Sequence, residues 1–481
     1  MAKLTTFTDE ALIAFDTLAG RAANLVNPSV RLGVTGLSRA GKTVFITALV
    51  HNLLHGGRLP LFDAAKSGRI GRAVLEEQPD DAVPRFQYED HARALTTNRI
   101  WPESTRAISE LRIVVDYESA SGWGRLFPSG RLAIDIVDYP GEWLLDLPLL
   151  GKTYAEFSAE ALELAQLPLR AEEAGAWLAL TASTDPEGPP DEMTARALAE
   201  AFTAYLKACK DDSKALSTLP PGRFLMPGDL EGSPALTFAP LPSGTGRSGT
   251  LGAMMERRYE AYKTHVVRPF FREHIARLDR QIVLIDAMQA LNAGAESVAD
   301  LERALSEILA CFRQGSNTML TGLFSRRIDK ILIAATKADH IHHEAHDRLQ
   351  ALVRRLADKA AARAGLSGAA VDVLALAAVR ATREGAVNQG GDVLPVIIGT
   401  PIKGEEIGSQ RFDGETETAI FPGDLPDNPD SLFQPRAHGE PVRFVRFRPP
   451  KIELAPGGAT LSLPHIRLDR ALQFLFGDRL A

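Results

Sequence analysis

Residues 30–54 constrain the fold of this chain more than any other stretch. An apolar run at 30–35 leads into a turn that reads Gly-Leu-Ser-Arg-Ala-Gly-Lys-Thr, residues 36–43, and a helical pattern follows. Two glycines let successive backbone N–H groups curl around phosphate oxygens, and the start of the helix adds its positive dipole end. The stretch therefore predicts a strand, a phosphate-binding loop (P-loop) and a helix that together bind a nucleoside triphosphate.

The polar residues of this loop have separate expected roles. Lys42 supplies a positive charge to the β- and γ-phosphates, and the hydroxyl of Thr43 is placed to bind Mg²⁺. The residues that we expect around the phosphates are Gly36, Ser38, Arg39, Ala40, Gly41, Lys42, Thr43 and Val44.

A second motif ends a later strand. Apolar runs at 111–117 and 131–137 are joined by a Gly/Ser-rich link, which predicts a hairpin. The second run ends in Asp138-Tyr139-Pro140-Gly141-Glu142, which is D-x-x-G followed by a glutamate. A carboxylate at this strand tip can reach Mg²⁺ through a water, and Gly141 leaves its N–H free to approach a γ-phosphate. A turn without function is the alternative, but the position one hairpin after the P-loop favours the phosphate role.

A third motif, Thr336-Lys337-Ala338-Asp339, follows the apolar run at 329–335. The Asp339 carboxylate can accept two hydrogen bonds from guanine N1 and N2, a pair of donors that adenine cannot offer. Lys337 would lay its aliphatic stem along the base. Thr336 is shorter than an asparagine at this position and lacks the amide that ties such a loop together. The motif favours GTP over ATP, with a helix cap at Asp339 as the alternative.

The order of the elements predicts an α/β fold with a mostly parallel sheet flanked by helices. Short apolar runs at 281–287, 329–335 and 371–377 suit parallel strands buried on both faces. Ala-rich helical patterns and a long helix at 251–280, which Pro269 should kink, indicate a large helical insertion. The expected divisions are an N-terminal helix at 1–29, core halves at 30–150 and 281–400, the insertion at 151–280 and a C-terminal extension at 401–481.

Composition excludes several classes of protein. The 481 residues carry a net charge of −7, which gives no general attraction to nucleic acid, so no nucleic-acid partner is expected. No run of 18 apolar residues occurs, and no basic start precedes an apolar segment, so we expect a cytoplasmic protein without a spanning helix. Cys209 and Cys311 fit a reduced compartment. The helix at 1–29 packs on the domain in one interpretation and lies on a membrane surface in another, so peripheral membrane association stays open.

Two further clusters have alternative interpretations. His342 and His346 are four residues apart on a helical pattern, as metal ligands can be, but no third or fourth ligand is identifiable. A solvated helix start is the alternative. Residues 442–448 alternate apolar and basic side chains, which predicts an edge strand whose arginines are solvated or meet a partner.

The motifs together resemble the YcjX-like family of bacterial P-loop GTPases over nearly the whole chain. The resemblance is carried by the segments GLSRAGKT, WPESTR, DYPGEW, RFLMPGDLEG, QIVLIDAMQALN, TKAD and AAVRAT. It implies a Ras-like core with a helical insertion, binding of GTP or GDP with Mg²⁺, and a role in bacterial stress responses. It does not identify a protein partner.

The resemblance also implies further site residues. Thr105 would be the switch threonine that joins Thr43 and Asp138 at Mg²⁺, and Thr96 and Thr97 are its rivals. The residues implied to lie at the nucleotide, beyond the P-loop, are Trp101, Ser104, Thr105, Arg106, Thr336, Lys337, Asp339, His340, and by their backbone Ala378 and Val379.

The candidate catalytic residues depart from the usual GTPase pattern at one position. Glu142 stands where small GTPases often have a water-orienting glutamine. A carboxylate there repels the γ-phosphate unless it is turned away, so we expect slow hydrolysis or dependence on another group. Arg39 is our candidate for charge stabilisation in the transition state, with a solvated or partner-paired arginine as the alternative. The candidate catalytic residues are Arg39, Lys42, Thr105, Gly141 and Glu142.

Three functions are consistent with these motifs. The first is a GTP-hydrolysing switch, and the second is a nucleotide-dependent interaction module with negligible turnover, which Glu142 favours. An ATP-dependent motor or kinase is the third, and the motif at residues 336–339 argues against it.

Overall fold

The computed structural model describes residues 28–37, 39–103, 107–120, 130–211, 214–242, 247–312, 328–366, 369–389, 392–433, 444–452 and 462–481. Nearly all of the predicted N-terminal helix at 1–29 lies outside these residues. The strands are β1 (Ser29–Gly36), β2 (Ile70–Glu76), β3 (Ser109–Tyr117), β4 (Gly130–Asp138), β5 (Arg280–Ile285), β6 (Lys330–Ala335), β7 (Ala370–Ala375), β8 (Arg383–Gln389), β9 (Asp392–Gly399), β10 (Glu406–Ile407), β11 (Gln410–Arg411) and β12 (Thr418–Ile420). The α-helices are α1 (Lys42–Leu54), α2 (Asp63–Lys66), α3 (Tyr88–Arg93), α4 (Tyr154–Leu164), α5 (Pro168–Ser183), α6 (Glu192–Cys209), α7 (Gly222–Leu225), α8 (Leu251–Tyr262), α9 (Arg268–Glu273), α10 (Ala287–Ala293), α11 (Ala295–Cys311), α12 (His346–Leu366) and α13 (Leu468–Phe476).

A seven-stranded sheet organises one part of the molecule. Its strand order is β2-β3-β4-β1-β5-β6-β7, and every pair from β4 to β7 is parallel. Every residue of β5 is buried, and five of the six residues of β6 are buried, as expected for parallel strands covered on both faces. The α/β fold class predicted from the sequence is confirmed.

The antiparallel edge of this sheet contains one strand that the sequence did not reveal. The predicted hairpin forms, with β3 antiparallel to β4. Beyond it lies β2, which pairs antiparallel with β3 in a stretch that showed little periodicity. None of the β2 residues is fully buried, so this edge strand lacks the apolar run that marks the central strands.

The described residues form two compact units. The helical unit comprises residues 140–277 and 296–312, and the sheet unit comprises residues 28–139, 278–295 and 328–481, with all the described strands. The domain boundaries drawn from the sequence stay a prediction. None of the described helices combines the length and the apolar character needed to cross a bilayer.

Aromatic side chains form the interior of the helical unit. The rings of Phe157 and Tyr259 stack with centroids 5.0 Å apart, and Trp177 stacks on Tyr205 at 5.2 Å. The long helix predicted over 251–280 forms as far as Glu273, because α8 continues through a π-helical turn at Lys263–Val267 into α9, which contains Pro269 in its first turn. The predicted end is wrong, since a short 3-10 turn at Ile275–Arg277 and then β5 follow.

The predicted edge strand at 442–448 is also wrong for the residues that the structure describes. Within 444–452 only Phe447 forms a bridge, antiparallel to Pro401. An alternating pattern becomes a strand only where a neighbouring strand has a free edge to pair with. Here the partner is the short segment at Pro401, which is not part of a sheet.

The C-terminal helix is anchored beneath the sheet by buried charge. Arg280, at the start of β5, is fully buried and pairs with Asp478 at 2.6 Å, and it also donates to the carbonyl of Leu475. Lys330, at the start of β6, meets the same Asp478 carboxylate at 2.7 Å. Burial raises the pKa of Asp478, but hydrogen bonds from Arg280 and Lys330 outweigh it and hold this pKa well below its usual value.

Replacing Asp478 with asparagine should lower the free energy of unfolding by about 1–2 kcal/mol near pH 7, because Arg280 stays buried without its main counter-charge. The cost is below that of a fully buried pair because Asp478 is 45% exposed. The contribution of Asp478 is complete above the ordinary carboxyl pKa of 3.8 and is lost as the pH falls through the lowered pKa of the folded state.

Urea unfolding at several pH values measures this effect. The advantage of wild type over D478N should begin to shrink below about pH 4 and should keep shrinking as the pH falls further. The control is D430N, which breaks an exposed pair with Arg355 and should change stability by less than about 0.5 kcal/mol. Equal losses in the two variants would contradict the anchoring role.

Candidate functional site

A cavity of about 370 Å³ lies in the sheet unit at the carboxyl ends of β1, β6 and β7. Its volume is within the range of small-molecule sites. The lining residues are Arg39, Ala40, Gly41, Lys42, Thr43, Val44, Phe45, Trp101, Pro102, Glu103, Thr336, Lys337, Asp339, His340, Ala377, Ala378, Val379, Ile402, Arg446 and Phe447.

One end of this cavity is formed by the loop between β1 and α1. Gly41 precedes the helix with φ of 80°, a left-handed conformation that glycine adopts without a steric penalty. The N-cap residue Gly41 has no side chain to cap α1, and the first turn of this helix contains no acidic residue, so among the described residues its N-terminal N–H groups and dipole face a site for an anion. The Lys42 ammonium lies 3.5 Å from the carbonyl of Gly36. The donor set fits a phosphate chain.

Thr43 connects this loop to the segment that precedes the predicted switch residues. Its hydroxyl lies 3.4 Å from the carbonyl of Glu103, at the limit of a hydrogen bond. A threonine hydroxyl in the first turn of such a helix is the group that binds Mg²⁺ in P-loop proteins. The residues present therefore fit a phosphate-bound Mg²⁺ ion.

The other end of the cavity is formed by the loop after β6. Lys337 has φ of 61°, and its ammonium forms an ion pair with Asp286, which follows β5. The hydroxyl of Thr336 donates to the carbonyl of Ile285 at 3.2 Å. Thus Thr336, which lacks an amide, still ties this loop to the neighbouring strand.

Asp339 is buried at this end, and its position argues against a capping role. Its Oδ2 accepts a hydrogen bond from the N–H of Ala381 at 2.8 Å, and its own carbonyl accepts from Thr382. Helix α12 begins only at His346, so Asp339 is not its cap. With Oδ2 held by Ala381, the carboxylate lines the cavity in a fixed orientation.

His340 lies beside Asp339 and is buried. Burial lowers its pKa, although the charge of Asp339 acts in the opposite direction. Its ring meets the ring of Phe447 edge-on, with centroids 5.2 Å apart and planes at 78°. A neutral, packed imidazole at this point gives the cavity an apolar wall near the carboxylate.

The remaining predicted residues fall into three groups. Gly36 ends β1 and Asp138 is buried at the end of β4, but neither lines the cavity. Ser38, Ser104, Thr105 and Arg106 lie outside the described residues. Gly141 and Glu142 belong to the helical unit. Their roles stay predictions.

The rival switch threonines do not line the cavity. Thr96 lies in a π-helical turn, where its hydroxyl donates to the carbonyl of Ala92 at 2.8 Å, and Thr97 is exposed. Neither threonine is among the residues that line the cavity.

Glu142 has a counter-charge within its own unit. Its carboxylate, 8% exposed, pairs with Lys210 at 2.6 Å. The carbonyl of Glu142 is packed against Gly222 so closely that a Cβ at residue 222 would lie 1.7 Å from it. Both contacts fix the position that directly follows D-x-x-G.

Asp146 strengthens the same segment four residues later. It accepts hydrogen bonds from Tyr262 and from the N–H of Gly222, each at 2.7 Å. Burial raises the pKa of Asp146 to about 7, and these two hydrogen bonds act against that rise. The segment after D-x-x-G is therefore bound to α7 and α8 by polar contacts in a buried setting.

Sequence reasoning missed several residues of the cavity. It also missed Asp286, which pairs with the cavity residue Lys337 and had a detectable signal, because it follows an apolar strand just as Asp138 does. Phe447 had no such signal, because residues 442–448 were predicted to form a solvent-exposed edge strand. The lining residues that were missed are Phe45, Pro102, Glu103, Ala377, Ile402, Arg446 and Phe447.

The histidine cluster beside this loop differs from its prediction. His346 Nε2 is hydrogen-bonded to the carbonyl of Ala338 at 2.9 Å. That nitrogen is therefore occupied and does not join His342 as a metal ligand. Among the described residues, the grouping with metal-ligand distances is His342, His343 and Glu344, whose ligand atoms lie within 4.8 Å of one another. Glu344 is 71% exposed.

Comparisons with known proteins show the family of this chain. The family model described as "YcjX-like family, DUF463" matches residues 30–480. A protein of Escherichia coli K12 named "Ras-like GTPase YcjX" is 37% identical over 470 residues, which are 95% of this chain and 97% of that protein. A protein of the same name from Shewanella oneidensis MR-1 is 36% identical over 477 residues, 94% of each chain.

Replacing Lys210 with methionine should lower the free energy of unfolding by about 2 kcal/mol, because the buried carboxylate of Glu142 loses its cation. Urea unfolding measures the change. The control is K207M in the last turn of α6, three residues before Lys210, where the lysine is exposed and the effect should be below about 0.5 kcal/mol. Adding E142Q to K210M should restore part of the loss, and a coupling energy near zero would contradict the pair.

Proposed function

The chain belongs to the YcjX-like family, and we propose that it binds GTP with Mg²⁺ and hydrolyses it to GDP and phosphate as a nucleotide-dependent switch. We further propose that this switch serves a bacterial stress-related process through a protein partner. The family resemblance supports the process, and the names of the two relatives support the GTPase activity.

One observation carries the nucleotide assignment. The P-loop and the Asp339 carboxylate, almost 300 residues apart in sequence, line the same cavity. One end offers uncapped N–H groups and Lys42, which suit phosphates, and the other offers a buried acceptor, which suits the N1 and N2 donors of guanine. A guanine nucleotide matches both ends.

The residues divide the chemistry between them. Lys42 and the backbone N–H groups of the loop would hold the β- and γ-phosphates and neutralise charge that develops as water attacks in line. Thr43 and Thr105, with Asp138 through a water, would hold Mg²⁺, which adds further charge stabilisation when bound. Trp101, Ser104 and Arg106 would flank the phosphates, and Gly141 would offer its N–H to the γ-phosphate.

The residues at the other end of the cavity would bind the guanine base. Asp339 and Lys337 would recognise the guanine ring, and Ala378 and Val379 would contact it through their backbone. Arg39 lines the cavity within the P-loop and is our candidate for transition-state stabilisation.

Turnover is expected to be slow in the isolated protein. The ion pair of Glu142 with Lys210 favours a carboxylate that is held by its own unit and does not orient water as a glutamine would. The same observation favours the second candidate function, a GTP-dependent interaction module with negligible hydrolysis. The rate of phosphate release separates the two.

Binding of guanine nucleotide and single-turnover hydrolysis test the proposal. Wild type should bind GTP in preference to ATP and release phosphate, while K42A should lose at least about 100-fold in affinity for the triphosphate. The control is K66A, an exposed lysine outside the cavity, which should behave as wild type. In the same assay R39A should bind GTP and hydrolyse it more slowly. Absence of GTP binding in wild type would refute the function.

Replacing Asp339 with asparagine should change the base preference of the site from guanine to xanthine. If the amide oxygen keeps its hydrogen bond from Ala381, the NH₂ group of the asparagine faces the base. This NH₂ group would face the exocyclic amine of guanine, which is also a donor, but it could donate to the carbonyl of xanthine. We expect at least about a 100-fold loss for GTP and a gain for xanthosine triphosphate. Competition binding measures both, and D358N, on the exposed face of α12, is the control. An unchanged preference would remove Asp339 from the base site.

A further inference from the structure

We propose that residues 444–449, the C-terminal clamp, hold the nucleotide in its cavity, with Phe447 as an apolar wall at the base end. This inference rests on the proposed guanine-nucleotide site and adds to it a residue that belongs to none of the GTPase motifs. The clamp lies within the sheet unit, as does every residue that it contacts below.

Phe447 occupies the base end of the cavity. It is 1% exposed, it lines the cavity, and its ring packs edge-on against His340, the neighbour of Asp339. An aromatic side chain beside the groups that recognise a purine offers favourable ring contacts, which depend little on the identity of the base. Asp339 would then select guanine, while Phe447 would retain it.

The clamp is supported from behind, so Phe447 does not depend on the nucleotide for its position. Ile402 N–H donates to the carbonyl of Arg446, and Arg448 N–H donates to the carbonyl of Thr400, each at 2.8 Å. Phe447 also packs in a small hydrophobic cluster whose other buried members are Ile397, Phe412, Ile420 and Val445. A wall that is ordered in advance costs less entropy when the ligand binds.

The clamp also holds the loop that covers the phosphate end. The indole Nε1–H of Trp101 donates to the carbonyl of Phe447 at 2.5 Å, and Arg99 Nε donates to the carbonyl of Pro449 at 3.0 Å. Two residues after Trp101, the carbonyl of Glu103 lies at 3.4 Å from the hydroxyl of Thr43. The loop at 99–103 is therefore tied to the clamp on one side and meets the P-loop on the other.

These contacts predict slow release of nucleotide. A bound nucleotide leaves only after the clamp separates from the base or the loop separates from the clamp, so each contact adds to the barrier for dissociation. The effect concerns the off-rate, because the ordered wall is present before binding and changes encounter little.

Dissociation of N-methylanthraniloyl-GDP, followed by fluorescence in a chase with unlabelled GDP, tests the clamp. F447A should release the nucleotide about 10-fold faster or more, which is the loss expected for one aromatic contact to a base. The matched control is F412A, which removes a phenyl ring from the same hydrophobic cluster but lies outside the cavity, and it should stay within about 2-fold of wild type.

Two further measurements separate a wall from a structural role. Binding of inorganic tripolyphosphate, which lacks a base, should be unchanged in F447A. W101F keeps an aromatic ring but loses the indole N–H, and it should release the nucleotide about 3-fold faster or more because the tether to the carbonyl of Phe447 is lost. If F447A does not fold, W101F and F447L carry the same test.

Equal off-rates in F447A and F412A, whether raised or unchanged, would overturn the clamp, and so would an equal loss of tripolyphosphate and nucleotide binding. In either case the wild type would still bind guanine nucleotide and the proposed function would stand. If wild type binds no guanine nucleotide, the function and the clamp fail together.

Discussion

The structure depends on the uncapped first turn of α1 at the end of a buried parallel strand. Strands β4, β1, β5, β6 and β7 run in the same direction, so their carboxyl ends meet at one edge of the sheet. At that edge the N-cap residue of α1 is Gly41, which offers no side-chain cap, so within the described part of the chain the helix dipole is left to an external anion. The other residues of the cavity are placed by the strands that end beside this turn.

The base end of the cavity is held by contacts between neighbouring loops. Lys337 has a left-handed backbone that costs about 1 kcal/mol for a residue with a Cβ, and its ion pair with Asp286 offsets that cost. Asp339 is held by Ala381, which follows β7. The recognition loop is therefore oriented from both adjacent strand ends, which is the preorganisation that a selective acceptor requires.

How far the sequence predicted the fold and the site depends on whether the signal was local. Strands β1, β5 and β6 are rich in apolar residues, and the motifs at 36–43 and 336–339 place backbone and charge within a few residues, so the strands and the motifs were both recognisable. The edge strand β2 has no buried face and left no pattern. Phe447 reaches the cavity through pairing with Pro401, a contact across about 45 residues that periodicity does not encode. For the same reason residues 442–448 read as a strand that the described residues do not form.

The D-x-x-G segment joins the two units covalently, because the chain passes from the sheet unit to the helical unit between Tyr139 and Pro140. Asp138 is fixed in β4, while Glu142 is fixed by Lys210 and by the close approach of Gly222 within the helical unit. A shift of this segment would have to break an ion pair whose carboxylate is buried and move a carbonyl that is in close van der Waals contact. Because these contacts hold Glu142 in place, they support the proposal that its carboxylate does not orient an attacking water.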